Sequence, residues 1–281
     1  MAKTVAFINM KGGVGKSTLA VNLAWQLTGI QGQDKNVLVV DLDPQFNASQ
    51  YLLGAHGYRK NIVHPNRATI WDVFEQQTRT PGAGAPKLLA PTDAIVTVRK
   101  WPQNRLDLLP SRLELAWSLK QPAQKEQLLA KFLAKVSGDY DLIIIDCAPT
   151  ESLLTTAAYL ASDYVLVPVK PEYLSTIGLP LLQRSLQDFR QQYEDHEVQM
   201  LGIVFNHAMQ YEPEEALSKR EVRSEGARFG WYIFVSEISY SRSYPKGARE
   251  GEPIFRTSYA RKFQSARFAA FAQEFSGRMG L

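Results

Sequence analysis

The stretch that most constrains this chain is Lys11-Gly-Gly-Val-Gly-Lys-Ser-Thr18. An apolar run, Thr4 to Asn9, reads as a buried strand before it, and a helical pattern follows from about Lys16 to Thr28. Glycines at 12, 13 and 15 let backbone N–H groups turn toward an anion without Cβ clashes. The helix beginning near Lys16 presents its positive end to the same anion. The phosphate-binding pattern G-x-x-x-x-G-K-S/T is met loosely in its glycines and fully in its Gly15-Lys-Ser17 ending. Lys16 is expected to reach the β- and γ-phosphates of ATP, and the Ser17 hydroxyl to ligate Mg²⁺. The binding segment is Lys11, Gly12, Gly13, Val14, Gly15, Lys16, Ser17 and Thr18.

The rest of the chain alternates strand and helix. Further continuous apolar runs are Asn36 to Asp41, Asp141 to Asp146, Tyr164 to Val169 and Gln199 to Phe205, with a sixth at Trp231 to Ser236. Continuous rather than alternating runs indicate strands buried on both faces. Helical spacing between several of them implies right-handed βαβ units. The expected fold is α/β: a single doubly wound domain over residues 1–281, with a mostly parallel central sheet flanked by helices. Residues 56–105 carry Pro65, the Pro81 to Pro86 stretch, Pro91 and Pro102. Such breakers mark a loop-rich insertion, expected to hold one helix, Thr69 to Gln77, and a mobile loop. A last helix, about Ser258 to Arg278, carries Phe263, Phe268, Phe271 and Phe275 as a core-packing stripe.

Two more strands end in acids. Asp41 and Asp43 lie two residues apart, which in extended chain puts both on one side. At the carboxyl end of a parallel strand that side faces the ligand crevice. Asp146 follows four apolar residues, the arrangement that sets an acid beside a phosphate loop to hold Mg²⁺ directly or through water. Lys11, a flexible cation just ahead of the loop, suits neutralisation of charge on a transferred phosphoryl group.

With Lys11 included, K-G-G-x-G-K-S/T is the deviant P-loop, and the chain resembles the ParA/MinD family of Walker ATPases, most closely its ParA-type partition and positioning members. The Asp41-Leu-Asp-Pro-Gln-Phe-Asn47 segment looks like that family's D-x-D-P-Q-x-N switch, with Phe46 in place of the usual glycine. Asp146-Cys-Ala-Pro149 with Leu154-Thr155 matches its D-x-x-P…L-T switch. Tyr173 to Gly178 resembles the segment opening a long helix at the dimer face. Ile238 to Ile254 resembles the adenine-and-DNA segment, with Ser239-Tyr240 replacing the usual Pro-Arg. The resemblance implies that Lys11 acts in trans on a partner subunit's nucleotide, that Asp43 positions the attacking water, that Asp41 supports the Mg²⁺ shell and that Asn206 reads the adenine edge. It implies a homodimer in the ATP state, non-specific DNA binding, and a ParB-like or other cargo adaptor that stimulates hydrolysis.

Charge distribution agrees with the DNA expectation. From Tyr240 to the end there are eight Lys/Arg against three acids, a surplus of five where the whole chain nets +4. A basic patch attracts a polyanion, and the candidates are Arg242, Arg249, Arg256, Arg261, Lys262 and Arg267. No apolar run approaches the roughly 18–20 residues of a membrane span, and the N-terminus lacks signal-peptide architecture. The chain is expected in the cytoplasm on the nucleoid, with no membrane partner. The end of the chain carries few bulky apolar residues and one cation, which argues against a MinD-like membrane ATPase. The single cysteine, Cys147, excludes a disulfide framework within one chain and the related iron–sulfur reductase component, which needs two cluster cysteines per subunit. The expected function is ATP-dependent plasmid or chromosome partition. The alternatives are a protein cargo such as carboxysomes, moved by the same mechanism, and a metabolic P-loop kinase or amide-forming enzyme.

Overall fold

A computed structural model describes residues 1–30, 33–76, 89–120, 125–208 and 213–281, apart from the side chains of residues 30, 174 and 176. The strands are β1 (Lys3–Phe7), β2 (Val37–Leu42), β3 (Val96–Lys100), β4 (Arg105–Leu109), β5 (Leu142–Cys147), β6 (Tyr164–Val169), β7 (Gln199–Ala208) and β8 (Ile238–Ser239). The helices are α1 (Lys16–Trp25), α2 (Asn47–Tyr58), α3 (Ile70–Glu75), α4 (Pro91–Ala94), α5 (Leu115–Ser118), α6 (Leu128–Ala134), α7 (Leu153–Leu160), α8 (Tyr173–Gln192), α9 (Pro213–Phe229), α10 (Ser243–Glu250) and α11 (Lys262–Met279). Among the described residues the strands form one eight-stranded sheet in the order β3-β4-β2-β5-β1-β6-β7-β8. All pairings are parallel except β3 with β4.

The continuous apolar runs explain this arrangement. Successive residues of a strand point to opposite faces, so Val5 and Phe7 pack with Leu19, Leu23, Trp25, Phe268, Phe271 and Phe275. Ala6 and Ile8 pack on the other face with Phe74, Phe132, Leu154, Tyr159, Leu182 and Phe189. Both faces are covered by helices, which makes this a single doubly wound domain. The aromatic stripe of α11 is core as expected, except Phe263, which is exposed.

Three local readings are corrected. First, residues 56–105 hold β3, and β4 opens at Arg105, neither of which was expected from the sequence. Their apolar patterns are broken by Arg99, Lys100 and Asp107. Asp107 is buried because Arg105 Nε and the Tyr140 hydroxyl both donate to its Oδ2 at 2.7 Å. The helix expected at Thr69 to Gln77 is α3, capped by a box between Thr69 and Asp72, and the Pro81 to Pro86 stretch lies outside the described residues. Second, Trp231 to Ser236 is not a strand. It makes one bridge, Ile203 to Ile233, and then leaves the sheet because the Glu274 carboxylate accepts the Val235 and Ser236 amides at 2.8 and 2.9 Å. The strand beside β7 is the two-residue β8. Third, the first helix ends at Trp25, where a kinked turn through Gly29 (φ 87°) takes over.

Candidate nucleotide site

β1 ends at Phe7, opposite Asp146 of β5 and Leu166 of β6, and the loop 10–15 follows at the carboxyl edge of the sheet, the crevice where open α/β sheets hold ligands. Gly15 adopts φ 81° as the residue before α1, and a side chain there would collide with Asn206 and His207. No side chain caps α1, so its first amides are left for an external acceptor. A Cβ added at Gly12 or Gly13 would meet no atom within 4 Å, so the loop borders open space of the kind an anion needs.

The Lys16 ammonium is buried and donates to the carbonyls of Asn9 at 3.0 Å and Lys11 at 3.1 Å. Burial lowers its pKa, against the pull of Asp146, Cys147 and Asp43. These three therefore share the environment of Lys16. Asp41 and Asp146 are register partners across β2 and β5. Asp41 is fully engaged: Oδ2 accepts from the Ser49 amide at 2.7 Å and hydroxyl at 2.6 Å, and Oδ1 from the Asp43 amide at 3.3 Å. Burial nevertheless pushes its carboxyl up to about 7. Burial, with the Asp41 charge beside it, also raises Asp146 well above the carboxylate range, although Ser17 and Lys16 pull it down. Both Asp146 oxygens are buried, and neither accepts a hydrogen bond of good geometry. An orphaned buried carboxylate at the mouth of a phosphate loop fits a divalent cation, and of the two acids Asp146 fits it better. Among the described residues no cluster of three His, Cys, Asp or Glu offers a metal site by itself.

Asp43 Oδ1 accepts the Gln45 amide at 2.8 Å, holding the turn into α2. Phe46 sits there at φ 45°, a conformation natural to glycine and costing another residue about 1–2 kcal/mol. Its ring stacks on Tyr58 at 5.2 Å and 16°, and the Tyr58 hydroxyl donates to the Ser111 carbonyl at 2.7 Å. The backbone conformation of this switch is thus the glycine-like one, although the residue is Phe.

Lys11 is held in its own chain by an ion pair to Glu172, the residue before α8. The Asn9 side chain sets this position. Its Oδ1 accepts the Lys11 amide at 2.9 Å, and its Nδ2 donates to the Pro168 carbonyl at 2.8 Å. Asn206 spends its Nδ2 on the Val14 and Gly15 carbonyls at 2.8 and 3.3 Å, so in this structure it braces the loop from β7. His207, at φ 56°, lies against Gly15 on one side and against Tyr240 and Tyr244 on the other. Asn9, Ser49 and Glu172, which hold the loop, Asp41 and Lys11, are not marked by any motif in the sequence.

The basic candidates do not form one row. Arg242 and Arg261 line a depression of about 750 Å³ with Tyr240, Tyr259 and Gln264. Arg256, Arg261 and Lys262 line an adjoining one of about 460 Å³. Arg249 is exposed on the last turn of α10. Arg267 is engaged: its Nη1 donates to the Ser239 hydroxyl at 2.6 Å and its guanidinium lies 4.5 Å over Phe263.

Residues 2–200 match the family model described as an AAA domain. The chromosome-partitioning ATPase Soj of Treponema pallidum is 31 % identical across all of this chain and 99 % of its own. Among solved structures, McdA from Cyanothece superposes with a TM-score of 0.78 at 20 % identity, covering both chains fully. Cobyrinic acid a,c-diamide synthase from Mycobacterium smegmatis, with bound ATP analogue and magnesium, superposes at 0.71 with 25 % identity, covering 97 % of this chain and 93 % of that one.

Proposed function

This chain belongs to the AAA domain family as a ParA/MinD-type P-loop ATPase, and on that footing we propose that it is an ATP-switched dimer that holds DNA non-specifically and segregates a cargo. The observation that carries the reading is the convergence of Lys16, Asp43 and the orphaned Asp146 on one glycine loop, with Lys11 at its rim. Ser17 and Asp146 are the residues to hold Mg²⁺, with Asp41, fixed by Ser49, as support. The bound ion would supply charge neutralisation at the β- and γ-phosphates. Lys16 and the free amides of α1 bind and orient the phosphates, and Asp43 holds a water in line. Lys11 leaves Glu172 to reach the nucleotide of a second subunit, and hydrolysis, stimulated by a ParB-like or other adaptor, returns it.

α8 supports a facing arrangement. Tyr173, Ile177 and Leu181 recur every four residues, so they fall on one side of the helix. All three are more than half exposed, directly after Glu172. The Treponema relative, a chromosome-partitioning ATPase matched over its whole length, favours a chromosome or plasmid over a protein cargo. No helix among the described residues is long and apolar enough to cross a membrane, and the last helix is committed to the core.

The test is binding of a random-sequence duplex with ATP, with ADP and with no nucleotide, across a salt series. Tight binding only with ATP, weakening steeply with salt as counterions compete, supports the proposal. Absence of duplex binding in every state overturns it.

A further inference from the structure

Among the described residues, three of the five well-exposed aromatic side chains gather on one surface: Tyr240, Tyr259 and Phe263 are 52, 58 and 61 % exposed. Tyr240 and Tyr259 line the same depression as Arg242 and Arg261, and Phe263 follows Lys262 on the first turn of α11. Cations interleave with these rings. Lys246 Nζ lies 5.6 Å over Tyr259 and the Arg267 guanidinium 4.5 Å over Phe263. Hydrogen bonds tie together the backbone segments that carry these rings. The Ser243 hydroxyl donates to the Tyr259 carbonyl at 2.6 Å, and Gln264 accepts from the Ser241 hydroxyl at 2.5 Å and donates to the Tyr240 carbonyl at 3.4 Å. Neither adjoining depression is lined by an acid. Glu250, which accepts from the Ser258 hydroxyl at 3.4 Å, is paired with Lys246 at 3.1 Å.

A duplex makes poor use of such a surface. Its bases are stacked inside, and only its phosphates meet the cations, leaving exposed rings without partners. An unpaired strand offers phosphates and base faces together, the combination that stacking platforms in a positive groove recognise. We propose that this surface, formed by residues 240–243 and 256–267, binds single-stranded DNA in preference to duplex, with bases stacking on Tyr259 and Phe263 while Arg242, Arg256, Arg261 and Lys262 take the backbone. The inference rests on the reading that this end of the molecule binds nucleic acid, and sharpens it to the unpaired form. The surface is also one side chain from the phosphate loop. His207 lies between Gly15 and Tyr240, whose ring meets the imidazole edge-on at 5.9 Å. The loop's occupancy can therefore bear on the ring that closes one side of the depression.

The experiment is fluorescence anisotropy with ATP present, using a labelled mixed-sequence oligonucleotide with no self-complementarity, alone and annealed to its complement. The single strand is expected to bind more tightly than the duplex. Tyr259→Leu and Phe263→Leu are each expected to weaken the single strand about 5- to 150-fold while leaving duplex affinity within about twofold. Tyr259→Phe, which keeps the ring, should retain wild-type affinity. Arg261→Ala should weaken both forms. Because these side chains are exposed, the Leu variants are expected to melt with the wild type, and far-ultraviolet circular dichroism checks this. Equal or tighter duplex binding that is indifferent to Tyr259→Leu and Phe263→Leu overturns the inference and leaves the DNA-binding ATPase standing. A single-strand preference unmoved by both Leu variants overturns the site. Binding of neither form by the wild type overturns this inference and the proposed function together.

Discussion

The Lys11 ammonium is paired with the Glu172 carboxylate of its own chain, and Lys170 holds the other carboxylate oxygen at 2.8 Å. The two lysines, Lys11 foremost, hold the Glu172 pKa below its usual range. A lysine that must reach a second subunit first has to leave this pair.

Glu172→Gln is expected to ease that departure. Partly exposed pairs are worth about 0.2–1 kcal/mol each and a symmetric dimer opens two, so the protein concentration for half-dimerisation in ATP should fall about 2- to 30-fold, read by sedimentation velocity. The sign with pH follows from the depressed carboxyl. The pair is intact above the ordinary carboxylate value and lost as pH falls through the lowered one, so wild type and variant converge in acid. A variant that dimerises less readily than wild type at neutral pH would sink the latch.

Asp43→Ala is expected to bind ATP and dimerise but not turn over, because Asp43 supports the turn into α2 and does not contact the loop glycines by hydrogen bonds. Light scattering in ATP, beside phosphate release, reads both properties. A monomeric variant in saturating ATP contradicts the role given to Asp43.

Asp146 is fully buried, and burial with the Asp41 charge beside it disfavours its ionised form in the nucleotide-free protein. Asp146→Asn should therefore raise the melting temperature without nucleotide at pH 8, by about 2–6 °C for relief of about 1–2 kcal/mol. The same variant should lose the further stabilisation that ATP with Mg²⁺ gives the wild type, about 2.7 kcal/mol at a hundredfold excess over Kd. Differential scanning fluorimetry of the four combinations decides it, and a nucleotide-free variant melting below wild type refutes the argument.

Asn22 is completely buried in α1 and ties three segments. Its Oδ1 accepts the Ile254 amide at 2.8 Å, and its Nδ2 donates to the Thr18 carbonyl at 2.8 Å and the Tyr51 hydroxyl at 3.0 Å. Asn22→Ala strands a buried amide at Ile254 and should cost about 1–3 kcal/mol. Hydrogen exchange should accelerate at residues 251–257 ahead of the sheet. Uniform loss of protection across the molecule would show Asn22 to be ordinary core instead.

The sheet was legible wherever a run was apolar without interruption, because such a run can only be buried on both faces. β1, β2, β5, β6 and β7 are of this kind. β4 was hidden by Asp107, whose burial depends on Arg105 and on Tyr140, a residue more than thirty positions away. Trp231 to Ser236 has strand composition, but a carboxylate on α11 captures the amides that a ladder would use. At the site, the glycines, Lys16 and the three acids were legible because phosphate chemistry fixes their spacing. Glu172 and Asn9 were not, because what brings them to Lys11 is the adjacency of β1 and β6, a tertiary fact. Phe46 read as a departure from the glycine of the switch. Only the fold shows that stacking on Tyr58 accompanies the same left-handed backbone.

The borders of the sheet govern how this molecule can meet its own kind. On one side β3 is antiparallel, irregular between Thr97 and Arg99, and ends in two cations; on the other β8 is two residues long. Short, bulged and charged edges resist the addition of a foreign strand. Strand addition is therefore disfavoured at both of these edges, and the surfaces left for a second copy are helices and loops. Contacts of that kind separate as rigid bodies, without unzipping a ladder.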